Sequence, residues 1–143
     1  MELIDGLGGA FVFSNDCERL ADWYTAKFGM EFEGSTEFGA FYTIFWALDP
    51  EEPTRKMDTT FAIMKATVEL ASGAPDEEPE SMYGDHPFMV NLRVRDLDAV
   101  LAHLAERGVE PIKRTDYDYG LFAWVRDLDG NRIELYQPLS AEA

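Results

Sequence analysis

Asp127-Leu128-Asp129-Gly130-Asn131-Arg132-Ile133-Glu134-Leu135-Tyr136-Gln137-Pro138 reads as a tight Asp-Gly turn feeding a strand that alternates around one carboxylate, Glu134. The unit that supports such a strand occurs twice. Phe13-Ser14-Asn15-Asp16-Cys17-Glu18 and Arg93-Val94-Arg95-Asp96-Leu97-Asp98 both lead from a strand into a helix, with Asp16 and Asp96 80 residues apart. Lys27-Phe28-Gly29-Met30-Glu31 is echoed 79 residues on by Glu106-Arg107-Gly108-Val109-Glu110. Two copies of one short unit predict a duplicated domain with a site where the copies meet.

In the first copy, strand 8–14 precedes a helix capped by Asn15 or Asp16, with Glu18 placed as in a capping box. Leu20, Trp23, Tyr24 and Phe28 form its apolar stripe, and Gly29 ends it. Strands are predicted over Met30–Phe38, Ala40–Leu48 and Thr59–Thr67, with a turn at Phe38-Gly39 and a charged loop over Asp49–Asp58. Glu69–His86, with two glycines and two prolines among acids, reads as a mobile linker. The second copy follows with strand Phe88–Arg95, a helix capped by Asp96 and stopped at Gly108, and strands Val109–Thr115, Leu121–Arg126 and Arg132–Gln137. The fold class is therefore α+β: two β-α-β-β-β modules (8–68 and 87–138, linker 69–86) forming a curved, cup-like mixed sheet with helices on its outer face, within one domain over 1–143.

Composition narrows the function. A 46% hydrophobic fraction suits a globular protein, and no apolar run has the roughly 20 residues of a membrane helix. The net charge of −16 argues against nucleic acid, whose binding rests on phosphate neutralisation, and against anionic membrane surfaces. Much of that charge is local: Glu69, Asp76, Glu77, Glu78, Glu80 and Asp85 read as a solvated acidic surface. One cysteine, Cys17, allows no internal disulfide and points to the cytoplasm.

Strand–helix units of this kind, closing on Asp-x-Asp-Gly-Asn-x-x-Glu-Leu, resemble the vicinal oxygen chelate superfamily, which includes glyoxalase I, extradiol dioxygenases and bleomycin resistance proteins. The likeness spans Gly8 to Pro138 apart from the linker. It implies a divalent metal held by His, Gln or Glu from the first and last strands of each copy, with open positions that polarise substrate oxygens. Carried onto this chain, those positions fall on Gly9, on Met89, on the stretch Phe61-Ala62-Ile63-Met64-Lys65, and on Glu134. Only Glu134 can serve, since a thioether suits soft metals and glycine has no donor. No metal and no other cofactor is therefore expected.

Strand parity places Val90, Leu92, Val94, Ile133 and Leu135 against the helices. The other face carries Met89, Asn91, Arg93, Arg132, Glu134 and Tyr136, with Phe11 and Phe13 at matching positions of the first copy. These eight residues are the predicted ligand pocket, mixing aromatics with a few polar groups; Phe11 and Phe13 read equally as filling core space between the two copies. Glu134 has two readings, a salt-bridge partner of Arg93 or Arg132, or a free general base. Trp124, Tyr117 and Tyr119 line a mouth or brace a hairpin. Three functions follow. The first is a metal-free binding protein, dimeric, for a small organic ligand. The second is a lyase, isomerase or dioxygenase-like enzyme using Glu134 or a remodelled metal site. The third is an interaction module with a filled cup.

Overall fold

The computed structural model describes residues 5–139, and the chain divides into two compact units, Met1–Leu70 and Ala71–Ala143. Each unit holds one helix and a four-stranded mixed sheet, so the fold is α+β with the duplicated topology expected.

Unit 1 runs β1 (Gly9–Ser14), α1 (Cys17–Phe28), β2 (Glu33–Ser35), β3 (Ala40–Leu48) and β4 (Lys56–Lys65), in the sheet order β1-β4-β3-β2. β1 lies parallel to β4 and the other pairs are antiparallel. Asp16, rather than Asn15, caps α1 by accepting from the Arg19 N–H at 3.1 Å. Asn15 instead clasps the end of the unit, donating to the Val68 carbonyl at 2.9 Å and accepting from Leu70 N–H at 2.8 Å. Leu20 and Tyr24 are fully buried together with Val12, Phe61 and Ile63, and the Tyr24 and Phe61 rings lie 5.3 Å apart. Each such side chain contributes about 1.5–3 kcal/mol by leaving water. Gly29 (φ 71°) closes the helix by donating to the Thr25 carbonyl at 3.0 Å.

Unit 2 contains β5 (Val90–Arg93), α2 (Leu97–Glu106), β6 (Lys113–Tyr117), β7 (Gly120–Arg126) and β8 (Arg132–Pro138), ordered β5-β8-β7-β6. Asp96 caps α2 through Ala99 N–H at 3.0 Å, and the Gln137 side chain from β8 accepts from Leu97 N–H at 2.8 Å. Leu97 and Leu104 are buried, as are Ala123, Val125, Ile133 and Leu135, which share one face of the sheet by register.

Several strands depart from their expected limits. β2 keeps only Glu33–Ser35, with Gly34 inside it at φ 96°, because Thr36–Gly39 already forms the turn. β4 starts at Lys56, earlier than Thr59, and takes over the end of the charged loop. β6 starts at Lys113 rather than Val109, because Pro111 has no N–H for the ladder. β5 likewise begins at Val90, after Pro87 and an exposed Phe88.

Of the stretch 69–86, read from sequence as a mobile linker, residues 71–86 belong to unit 2 and are fastened to it. Gly73 N–H donates to Asp129 carbonyl at 2.8 Å, and Gly130 is required there: a Cβ on it would lie 2.5 Å from Gly73 C and 2.8 Å from Gly73 N. Asp127 shapes that turn, a hairpin, by accepting from Asp129 N–H (3.0 Å), Asn131 N–H (2.9 Å) and Asn131 Nδ2 (2.8 Å). Further along, Glu78 and Asp85 reach arginines of β7 and β8. We call residues 78–85 the strap.

Candidate functional site

Register assigns the face of the unit 2 sheet that turns away from α2. Asn91, Glu134, Trp124 and Lys113 form one cross-strand row, and Arg93, Tyr136, Phe122 and Thr115 the next. Arg132 faces the same way, opposite Arg126. The strap lies on this face. Arg126 pairs bidentately with Glu78 at 2.8 and 2.7 Å, Arg132 pairs with Asp85 and donates to the Met82 carbonyl at 2.8 Å, and Met82 is buried. Lys113 Nζ donates to the Glu80 carbonyl at 3.4 Å.

Glu134, 7% exposed, is held by two neutral donors. Asn91 Nδ2 donates to Oε1 at 2.6 Å and the Tyr83 hydroxyl donates to Oε2. Neither arginine pairs with it: among the described residues Arg132 is committed to Asp85, and no ion pair joins Arg93 to Glu134. The salt-bridge reading of Glu134 is thus replaced by a carboxylate satisfied through hydrogen bonds. The Tyr83 ring meets Trp124 edge-on at 5.7 Å. Burial of the phenol, and then its bond to the carboxylate, push the Tyr83 pKa well above the ordinary tyrosine range, so it remains a donor. Although Tyr83 is 55% exposed, its hydroxyl end meets the buried Glu134, and that end governs the shift. The Arg132 guanidinium lowers the Asp85 carboxyl to about 2, and Arg126 lowers Glu78.

Beside this corner stands an aromatic tier. Phe122 stacks on Tyr136 (4.9 Å, 20°) and lies near-parallel to Trp124 (6.4 Å, 18°). Tyr117 and Tyr119 stack at 5.3 Å and meet Phe122 edge-on. Gly120 makes room, since a Cβ there would lie 2.6 Å from the Tyr136 ring. Two buried donors on this face lack an acceptor among the described residues, Trp124 Nε1 and Arg132 Nε. An orphaned buried donor costs about 1–3 kcal/mol.

Of the predicted pocket residues, Asn91 and Glu134 touch, Arg93, Arg132 and Tyr136 share their face, and Met89 lies half-buried just before β5. Phe11 and Phe13 occupy the face of unit 1 away from α1, each 50% exposed. Sequence reasoning missed Tyr83, Met82 and Asp85, which sit in an irregular segment with no periodicity to betray them. It left Trp124 undecided, though Trp124 is directly opposite Glu134 across the Asp127–Asn131 turn. Unit 1 has a shallow depression of about 240 Å³ beside Trp46, Ala47, Leu48 and Lys56, where Lys56 Nζ lies 5.8 Å over the Trp46 ring; its lining carries no acid.

The sequence profile of the Glyoxalase/Bleomycin resistance protein/Dioxygenase superfamily matches residues 6–135. The chain belongs to this superfamily. Among solved structures, TnmS3, an antibiotic binding protein from Streptomyces sp. CB03234, superposes with a TM-score of 0.60 at 23% identity, covering 97% of this chain and 100% of that one. A glyoxalase/bleomycin resistance protein from Catenulispora acidiphila DSM 44928 gives 0.58 at 24% identity, covering 94% and 100%. A lactoylglutathione lyase from Agrobacterium tumefaciens gives 0.59 at 10%, covering 95% and 96%. These likenesses establish the fold. A search of the curated proteins returned no match.

The metal that the superfamily implies can be tested against the residues present. A side chain at Gly9 would place its Cβ 2.5 Å from the Thr60 carbonyl oxygen, so the backbone excludes a ligand there. Among the described residues no group of three or more His, Cys, Asp and Glu side chains is arranged to hold a metal ion. His86 is 3.8 Å from Asp85 and largely exposed, while His103 lies exposed on α2. The donor set does not fit the family's metal centre.

Proposed function

We propose that this chain is a metal-free small-molecule-binding protein of the glyoxalase/bleomycin resistance type, taking an aromatic organic compound on the face of the unit 2 sheet that turns away from α2. The observation that carries the reading is Glu134: a buried carboxylate held by neutral donors at the edge of a stacked aromatic tier, beside a buried indole N–H that lacks an acceptor among the described residues. Ligand sites combine such apolar surface with a few convergent polar groups. The likeness to TnmS3, an antibiotic binding protein, supports the same class. Phe11 and Phe13 offer a second exposed aromatic surface of this kind, and Met89, Asn91, Arg93, Arg132 and Tyr136 complete the contact set. Glu134 works as a recognition group, an acceptor already engaged by the two neutral donors Asn91 and Tyr83. The protein acts in the cytoplasm, needing no disulfide with its single Cys17.

A thermal-shift series of planar aromatic compounds without added metal tests the proposal. Compounds that bind should stabilise the native chain, by about 2.7 kcal/mol at a hundredfold excess over Kd. That gain should shrink in Phe122→Leu and Glu134→Gln. Stabilisation that appears only with a divalent metal, or none across the series, refutes it.

A further inference from the structure

We infer that Tyr83 holds the place of the ligand: the corner of Glu134, Asn91 and Trp124 is a subsite for a hydroxyl-bearing aromatic ring, which Tyr83 fills until a free hydroxyaryl molecule displaces it. The inference rests on the proposed binding function and names its ligand class. Tyr83 makes the contacts such a ring would make. Its hydroxyl donates to the buried carboxylate, Asn91 braces the other oxygen, and its ring packs against the indole.

The fit of Tyr83 is incomplete in a way that favours a competitor. Trp124 is 2% exposed, yet its Nε1–H has no acceptor among the described residues, so the Tyr83 oxygen does not serve it. A phenolic oxygen can donate one proton and still accept another. Tyr83 is tied to the chain between Glu78 and Asp85, both anchored to arginines, and this tether fixes its edge-on approach. A free ring is untethered. It can keep the bond to Glu134, bring its oxygen to the indole N–H, and lie flatter against the near-parallel Trp124, Phe122 and Tyr136 rings. Tyr83 can leave at modest cost because 55% of it is already exposed and Gly84, at φ 93°, follows it. The arginine pairs of Glu78 and Asp85 need not break for the ring to swing away.

The test compares 2-naphthol with 2-methoxynaphthalene and naphthalene on the native chain, Tyr83→Phe, Tyr83→Ala and Glu134→Gln, by calorimetric titration. The Trp124 indole N–H resonance, assigned through Trp124→Phe, is followed alongside. Tyr83→Phe keeps a ring but removes the competing hydroxyl, so 2-naphthol should bind it more tightly, by about fivefold or more if Tyr83 is seated most of the time. 2-Methoxynaphthalene cannot donate to Glu134 and should bind about tenfold more weakly than 2-naphthol, as loss of a charge-assisted hydrogen bond implies. The Trp124 indole resonance should move on adding 2-naphthol, and the preference for the hydroxyl should vanish in Glu134→Gln. Equal affinity for 2-naphthol and its methyl ether, or no tightening in Tyr83→Phe, overturns the inference and leaves the binding function standing. No binding of any naphthalene, even to Tyr83→Ala, removes both.

Discussion

Gly130→Ala is the substitution that most sharply separates a tertiary constraint from a local one. Gly130 sits at φ 89°, so any Cβ costs about 1 kcal/mol for the backbone conformation alone. The added carbon would also meet backbone atoms of Gly73, at 2.5 Å from its carbonyl carbon and 2.8 Å from its nitrogen. Backbone cannot swing aside as a side-chain tip does, so residues 72–74 must retreat. The Gly73 N–H bond to the Asp129 carbonyl, 2.8 Å long, is then lost, at about 1 kcal/mol more. The expected total is about 2 kcal/mol. Gly29→Ala is the control, because Gly29 has a similar φ of 71° with nothing within 4 Å of an added Cβ, and should cost about 1 kcal/mol. Urea unfolding followed by circular dichroism gives both values. Limited proteolysis at Glu77, Glu78 and Glu80 with a glutamate-specific protease reports the strap directly, and cleavage should accelerate in Gly130→Ala but not in Gly29→Ala. Equal costs for the two substitutions, with unchanged cleavage, would refute the claim that Gly130 seats the chain leading to the strap.

Acid should release the strap in a defined window. Asp85 is lowered from 3.8 to about 2 by Arg132, so its contribution is fully present above 3.8 and lost as pH falls through about 2; Glu78 acts in the same direction. Protease susceptibility at Glu77–Glu80 in samples pulsed at low pH should rise across that window, and Asp85→Asn should show the change already at neutral pH. Added Zn²⁺, Ni²⁺ or Mn²⁺ should leave the melting temperature unchanged; a rise of several degrees that disappears in Glu134→Gln would restore a metal reading. The chain should be a homodimer, because sheets ordered β1-β4-β3-β2 and β5-β8-β7-β6 leave open edges; a monomer by light scattering at micromolar concentration would contradict this.

Much of the site was legible before the structure because strand parity is a local property. Asn91, Arg93, Arg132, Glu134 and Tyr136 were assigned to one face from alternation alone, and the register bears out that assignment. The partner of Glu134 was not legible. Two arginines of matching parity made a salt bridge the natural expectation, but parity says only which face a side chain takes, not which neighbour reaches it. Arg132 found its carboxylate in Asp85, 47 residues away in sequence, and Glu134 was left to Asn91 and Tyr83. The acidic connector misled in the same manner. Its charges read as solvated, yet Glu78 and Asp85 are the groups that fasten it.

Features that depend on neighbours a few residues away follow from the amino-acid order alone. Asp16 and Asp96 cap helices because a short carboxylate meets an N–H three residues on, Gly29 and Gly108 stop them because only glycine takes positive φ at little cost, and the alternation around Glu134 sets one face against the helix. That Gly9 offers no side-chain donor and Met89 only a thioether is also readable, since residue type needs no fold. What covers the face of the unit 2 sheet away from α2 is a tertiary matter. Residues 71–86 have no periodicity, so their position follows from long-range contacts: a close backbone approach at Gly130, two arginines in need of carboxylates, and a buried glutamate that accepts a phenol. Such contacts pair groups some fifty residues apart in sequence, and they exist only once the sheet that presents them has formed.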